Sequence, residues 1–449
     1  MRPPQEKGHW LMGSVADLQK APHAYPGIVA QKHGGIARFR ILHRRFIAIS
    51  DPNYYDQIMV KNHLSYERGV QFRNQHVLFG RGMVSTEGSE WSKKRTRAQP
   101  SFNREALKKT VPLSVKTVER FIRQWDEKIT AGEELSLIPE MQKLTISVIC
   151  QALFSVDIDQ KIAVQFCEDL RDSMLLIRKK NQAIFPLPLW LPHKSNDALK
   201  ANRDVMNAFV KDKIVKRKKK KESDPGLPDI LDNLLAGKEF NDLSLEDQEE
   251  IVSECKTLLV AGFETTALTL TWALYSLARY PEVAKKWHEE CDQVLKDRDN
   301  PEFEDLDNLD YTRQIVFETM RLYPVIFTQP RECVKDDQLG PYKIKKGDMM
   351  LLSNFGIHRD GKVWESPEEF RPERFADGVM WPRKSYMPFG KGKHTCIGNT
   401  FAAYEMLTAL SMIGKRYTIN RKDPSEVGVK ATITLMPDRD IFLTLGKRS

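Results

Sequence analysis

Between Ser244 and Arg279 the chain carries the pattern that most narrows what it can fold into. Ser244-Leu245-Glu246-Asp247 reads as a capped helix start with an acidic first turn, and helical character persists to Arg279, where Pro281 opens another helix. About 34 residues at 1.5 Å each make a rod about 50 Å long, enough to cross the whole molecule. Its middle, Leu258-Leu259-Val260-Ala261-Gly262-Phe263-Glu264-Thr265-Thr266, is apolar on nearly every side, so it is expected to be buried. A glycine, a carboxylate and two threonines interrupt that run. Glycine in a helix interior costs about 1 kcal/mol, and a buried carboxylate costs more unless it is satisfied. Local rules broken in mid-core mark the place to look for function.

The chain has 449 residues, 41% of them hydrophobic and 29% charged, which fits a globular protein with a large core. The balance of 70 basic against 61 acidic residues gives +9. That excess suits an acidic protein partner or an anionic surface and excludes a strongly basic nucleic-acid binder. Six cysteines are scattered without a CxxC pair, which points to a reducing, cytoplasmic setting; Cys150, Cys167, Cys255, Cys291 and Cys333 read as buried small residues. The polar start, Met1 to Gly8, and the lack of a long apolar run predict no transmembrane anchor.

Residues 36–50 read as two strands around a basic turn, followed by a helix opening at Asp51-Pro52. The stretch 68–87 is irregular and rich in glycine. Helices are expected over 104–129, 136–153 and from Asp310 to Leu322, the last stopped by Pro324. The proline-broken stretch from Ile184 to Pro192 reads as a loop that buries its apolar side chains, whether at a substrate entrance, in a membrane surface or in a core crevice. Lys216 to Lys221 reads as a solvated helix end, and 431–445 as strands turning at Pro437-Asp438.

One cysteine stands apart. Phe389-Gly390-Lys391-Gly392-Lys393-His394-Thr395-Cys396-Ile397-Gly398 places Cys396 among glycines just before a helical pattern running from Asn399 to about Ile413. A helix start favours thiolate over thiol, and the glycines would let backbone approach a flat ligand. This loop resembles the cysteine-ligand loop of the cytochrome P450 family, Phe-x-x-Gly-x-x-x-Cys-x-Gly, at Phe389, Gly392, Cys396 and Gly398. Three further segments follow the same family's order. Ala261 to Thr266 matches its [Ala/Gly]-Gly-x-[Asp/Glu]-Thr-[Thr/Ser] pattern, Glu318-x-x-Arg321 its Glu-x-x-Arg pair, and Trp91-x-x-x-Arg95 its propionate-binding pair.

The resemblance implies a mainly α, multihelical fold over 1–449 as a single domain, with a long central helix and a small β-rich lobe (roughly 20–65 plus strands in 325–375). It implies haem b (iron protoporphyrin IX) held through the Cys396 thiolate, and insertion of one oxygen atom of dioxygen into a C–H or C=C bond of an apolar substrate resembling a fatty acid, terpenoid or polyketide. In that frame Ala261 and Gly262 leave room for dioxygen, Thr265 hydrogen-bonds the activated oxygen, and Glu264 feeds protons through water. Trp91, Arg95, Arg331, His358 and His394 are implied propionate contacts, His394 standing where the family usually has arginine. Phe389 and Gly398 lie against the ring. Glu318, Arg321 and, from Phe370-Arg371-Pro372-Glu373-Arg374-Phe375, Arg374 lock the loop structurally. Leu258, Phe263, Val325, Ile326 and Phe327 are expected to line the substrate pocket. Electrons are expected from a separate ferredoxin, flavodoxin or reductase docking on Lys93, Lys94, Arg97, Lys391 and Lys393 of a monomer. A haem-thiolate peroxygenase or isomerase, and a non-catalytic haem sensor, remain as alternatives.

Overall fold

The computed structural model describes residues 1–448 apart from Val70, Gln71, Arg73, Asn74, 183–187, Leu189, Pro225 and Leu227. The long helix spans Leu245–Arg279, and its start is capped as the sequence predicts: the Ser244 hydroxyl accepts from the Asp247 amide at 3.1 Å. It runs against the helix Leu137–Phe154, where close approach is bought by Gly262. A Cβ at that glycine would stand 3.0 Å from the Ile149 side chain. Thr145 of the same neighbour donates to the Phe263 carbonyl at 3.0 Å. Further along, Trp272 stacks flat on Tyr323 with centroids 4.0 Å apart. Phe263 and Trp272 are at most 1% exposed, and burial of each such side chain contributes about 1.5–3 kcal/mol. Among the described residues this is the one helix long and apolar enough to cross a membrane, and its packing inside the helical core accounts for its apolarity.

Other helices fall where periodicity puts them, at Arg104–Thr130, Asp310–Leu322 and Asn399–Arg416. The helix Lys194–Ser223 ends in the lysine run, but that end is not wholly solvated. Arg217 is buried and forks onto Asp229 at 2.7 and 3.0 Å. A five-stranded sheet stands beside the helical core in the order Ile36–Ile41, Arg44–Ile49, Met349–Ser353, Thr328–Cys333, Tyr66–Glu67. Its pairs are antiparallel except the parallel match of Arg44–Ile49 with Met349–Ser353. Near the C-terminus the chain bends at 438–439 between the strands Leu435–Pro437 and Phe442–Lys447, and a further hairpin turn falls at 432–434 between Val429–Ala431 and Leu435–Pro437. Most of the expected apolar loop 184–192 lies outside the described residues; Pro188, Trp190 and Pro192 within it are exposed, not buried.

Candidate active site

The cysteine loop is tied down from several directions. The Cys396 amide donates to the Phe389 carbonyl at 2.9 Å, closing the loop on itself. Gly392 adopts φ +70, and a Cβ there would collide with the Met59 carbonyl oxygen, so this position requires glycine twice over. Arg95 reaches from the helix Gly88–Ala98 to donate to the Thr395 carbonyl at 2.8 Å. At the loop's start the Met387 amide donates to Nε2 of His358 at 3.0 Å.

Behind His358 lies the buried ion network. Glu318 and Arg321 are fully buried, and Arg321 forks onto both carboxylate oxygens at 2.7 and 2.8 Å. Glu318 Oε1 also accepts from Arg374 Nε at 3.0 Å and from the Arg371 amide at 2.8 Å. Arg321 then donates to the His358 carbonyl at 2.9 Å. The structure therefore brings Glu318, Arg321 and Arg374 together and chains them to the cysteine loop. His358 belongs to that chain. It is fully buried, its charged neighbours are Arg321 and Arg359, and burial with those charges pulls its imidazole down to about 3. A propionate contact does not fit that position.

Two surfaces stand open inside otherwise packed segments. Cys396 is accessible, and so is Ala261, although Leu259 and Phe263 on either side of it are essentially buried. Thr265 lies one turn on from Ala261, partly accessible, its hydroxyl donating to the Ala261 carbonyl at 2.8 Å. That back-bond occupies the proton and leaves the oxygen lone pairs free. Glu264 points elsewhere, accepting from Thr434 at 3.2 Å; burial pushes its carboxyl up from the ordinary range, the Thr434 bond opposing. Ile149 fills the space that a Cβ on Gly262 would take, while Gly262 itself keeps some accessible surface beside Ala261.

Although its surface is open, the protein packed around Cys396 desolvates the thiol and pushes it up, with the Gly398 amide and the Arg95 charge working the other way. The loop alone therefore does not favour a thiolate, against the expectation from the helix start, which lies three residues beyond the sulfur. Coordination to a metal ion deprotonates such a thiol outright. Gly398 itself is uncrowded: an added Cβ would meet only Phe102, at 3.8 Å.

Above the loop a cationic cluster gathers. Arg331, 6% exposed, donates to the Pro330 carbonyl at 2.7 Å and has no carboxylate in ion-pair reach among the described residues; burial lowers its pKa. Arg68 is pulled down to about 10 by burial, with the charges of Arg331 and Arg95 adding and Glu87 opposing. His394 is held between Arg68 (Nδ1, 3.1 Å) and Glu87 (Nε2, 3.3 Å), with its ring 4.2 Å from Trp91. Burial raises Glu87, but the His394 hydrogen bond and the Arg68 charge outweigh it and bring the carboxyl to about 2. Among the described residues the Trp91 indole N–H has no protein acceptor. Of the three guanidiniums Arg68, Arg95 and Arg331, only Arg68 has a carboxylate in ion-pair reach among the described residues (Glu87, 3.7 Å), a donor set that fits a ligand carrying two acidic groups. Arg68 and Glu87 were not anticipated. They sit in the glycine-rich stretch, where no periodicity or spacing marks them.

The expected pocket residues divide. Leu258, Phe263 and Val325 are core, Phe263 with its ring against Phe166 at 6.2 Å, whereas Ile326 and Phe327 keep accessible surface. In the expected docking patch, Lys94 is buried between Glu250 and Glu254, 3.3 Å from each, and Arg97 pairs with Glu250 at 3.0 Å. Lys391 reaches the Lys384 carbonyl at 3.0 Å and Asp56 at 3.7 Å; Lys93 and Lys393 are exposed, the Lys393 ammonium lying over the Trp91 ring at 5.9 Å. The other five cysteines are free and buried.

Comparison with known proteins agrees with this geometry. The chain is 28% identical over 478 aligned positions to the Arabidopsis thaliana protein LUTEIN DEFICIENT 5, covering 97% of this chain and 78% of that one. It is 31% identical to secologanin synthase 2 of Catharanthus roseus, covering 87% and 76%. Against the bifunctional cytochrome P450/NADPH–P450 reductase 2 of Bacillus subtilis it is 28% identical, covering 99% of this chain and 42% of that one. Residues 3–443 match the family model described as Cytochrome P450, and the chain accordingly belongs to the cytochrome P450 family, a haem b monooxygenase that draws on dioxygen, an apolar substrate and a redox partner.

Proposed function

We propose that Cys396 supplies the axial thiolate to haem b, and that the oxygenation site is the cleft it shares with Ala261 and Thr265. What supports this reading is that Cys396 and the Ala261–Thr265 turn each keep open surface in otherwise packed segments, with a guanidinium cluster short of carboxylates tied to the cysteine loop through Arg95. Arg331, Arg95, Arg68 and Trp91 would hold the two propionates. Bound there, the haem supplies oxygen activation and atom transfer.

The rest is the work of the protein. Phe389, Gly392 and the Arg95–Thr395 bond fix the sulfur. The Gly398 amide points at that sulfur and tempers its electron donation. Thr265 presents oxygen lone pairs to the cleft and would orient a water there. Glu264, kept towards its protonated form by burial, holds a proton one residue away and hands it over through water when its bond to Thr434 opens. Packed apolar walls exclude bulk water, which would otherwise compete for the proton and the oxygen. An acidic carrier of the ferredoxin or flavodoxin type delivers electrons near Lys93 and Lys393.

Turnover under isotopically labelled dioxygen with a surrogate reductase tests the reading. One labelled atom in the product and one in water is expected. Product formed only with peroxide, or an isomerised product with no label, would replace monooxygenation by one of the alternatives.

A further inference from the structure

A second cavity, of about 530 Å³, opens where residues 76–80, the middle of the helix Lys194–Ser223 and the first turns of the long helix meet. A glycine lets the first of these close on the last: Gly80 adopts φ +66, and a Cβ there would collide with the Ser253 hydroxyl. Lys200, Arg203, Lys211 and Lys256 line the cavity, against Asp204 and Glu249. Arg203 and Asp204 pair with each other at 2.9 Å, and His76 turns its Nε2 to the Ser85 carbonyl. Lys200, Lys211 and Lys256 have no carboxylate in ion-pair reach among the described residues. Lys256 is the deeply set member. It is 2% exposed, yet among the described residues its ammonium makes one hydrogen bond, to the Leu78 carbonyl at 2.9 Å. Two of its three donors remain to be satisfied. Burial pulls it down to about 8, with Arg203 adding and Asp204 and Glu249 opposing. In the same wall the Oδ1 atom of Asn207 is buried without a donor.

The cavity is separate from the oxygenation cleft. Lys256 lies five positions before Ala261, which turns it about 140° around the long helix, so the two open on different faces. The wall itself sets what a ligand must carry. Three ammoniums without a counter-charge, against the one unmatched carboxylate of Glu249, favour a group with more than a single negative charge. A phosphate monoester carries about two charges at neutral pH and three acceptor oxygens, enough for the free donors of Lys256 and the rim lysines together. Asn207 Oδ1 calls instead for a donor, which a hydroxyl supplies. The volume leaves room for a small polar body beyond the phosphate.

We infer that this cavity binds a phosphorylated polyol, its phosphate on the Lys256 ammonium and a hydroxyl on Asn207 Oδ1. Lys200 and Lys211 at the rim draw the dianion in. Such a ligand touches neither Cys396 nor the Ala261 turn and is not a substrate.

Calorimetric titration of the haem-loaded full chain with glucose 6-phosphate, inorganic phosphate and glucose tests it. Glucose 6-phosphate is expected to bind about tenfold tighter than inorganic phosphate, and glucose not to bind. Lys256→Met and the double variant Lys200→Ala/Lys211→Ala should each weaken both phosphates at least about tenfold. Asn207→Leu should bring glucose 6-phosphate down to the level of inorganic phosphate and leave the latter unchanged. The double variant alters only rim residues and keeps the test valid should Lys256→Met fold poorly. At pH 8 binding should take up about half a proton, because the phosphate draws the half-neutral Lys256 back to its ammonium; titrations in buffers of different ionisation enthalpy read this, and Lys256→Met should abolish it. No binding of either phosphate, inorganic phosphate binding as tightly as the sugar phosphate, or affinities that survive in the double variant would each overturn it. Phosphatidylcholine vesicles distinguish the source of the ester: co-sedimentation that requires phosphatidylinositol 4-phosphate and is lost in the double variant assigns it to a lipid head group, and no co-sedimentation assigns it to a soluble ester.

Discussion

Glu318→Gln is the substitution whose cost the structure specifies best. The wild-type carboxylate is fully buried and accepts four hydrogen bonds: two from Arg321, one from Arg374 and one from the Arg371 amide. Three of them converge on Oε1 and one on Oε2. Glutamine keeps the shape and can place its carbonyl oxygen where Oε1 was. Its NH₂ then faces the Arg321 Nε–H, donor against donor, and two guanidiniums lose their only shared counter-charge. Breaking a buried pair of this kind costs about 3–5 kcal/mol. The loss travels further, since Arg321 also holds the His358 carbonyl and His358 holds Met387 at the start of the cysteine loop. The assay is urea unfolding of the haem-loaded chain with haem content followed in parallel. Expected is a fall in stability of that size with haem released ahead of global unfolding. Glu368→Gln is the control, because Glu368 pairs with Arg359 but is 72% exposed, and its cost should stay below about 1 kcal/mol. Equal small losses in both variants would refute the account of the network as the brace of the loop.

Other positions offer sharper contrasts. Gly392→Ala forces an L residue to φ +70 and into the Met59 carbonyl, so it should lose at least about 2 kcal/mol and most bound haem, whereas Gly398→Ala, at φ −91 and uncrowded, should lose less than about 1 kcal/mol in the same denaturation assay. Arg331→Leu removes a buried, unpaired charge; the haem-free chain should melt higher while haem affinity falls about tenfold to a hundredfold, measured by transfer to apomyoglobin. For His358 the folded imidazole titrates at about 3, below the ordinary value of about 6.5, so the unfolded chain binds the proton first as pH falls. Its contribution is intact above about pH 6.5 and drains away towards pH 3. The stability advantage of wild type over His358→Asn should therefore shrink steadily between about pH 7 and pH 5 in urea titrations, and a constant difference would contradict this.

Elements whose chemistry is local were legible in the sequence. The Ser244 cap, the proline after Arg279, the stop at Pro324 and the apolar stripe of the long helix act within one or two turns, and each element appears where those residues put it. The Glu318–Arg321 fork was legible because two residues three apart on a helix must meet. What failed depended on which way a side chain faces once helices pack. Phe263 lies in the same segment as Ala261, but 3.6-residue periodicity turns it onto Phe166 and away from the accessible face. Lys94 looks like any surface lysine, and only the approach of the long helix buries it between Glu250 and Glu254. Arg68, Glu87 and the lysines of the second cavity meet across more than a hundred residues of chain or across irregular loops, and no spacing rule links them.

The central claim is that Cys396 is the axial ligand of the haem. The absorption spectrum of the ferrous–carbon monoxide complex, taken for wild type and for Cys396→Ala, tests it most directly. The account predicts a Soret band displaced far to the red in the wild type and absent in the variant. A wild-type band at the position typical of histidine-ligated haem, or a red-displaced band that persists without Cys396, would contradict it.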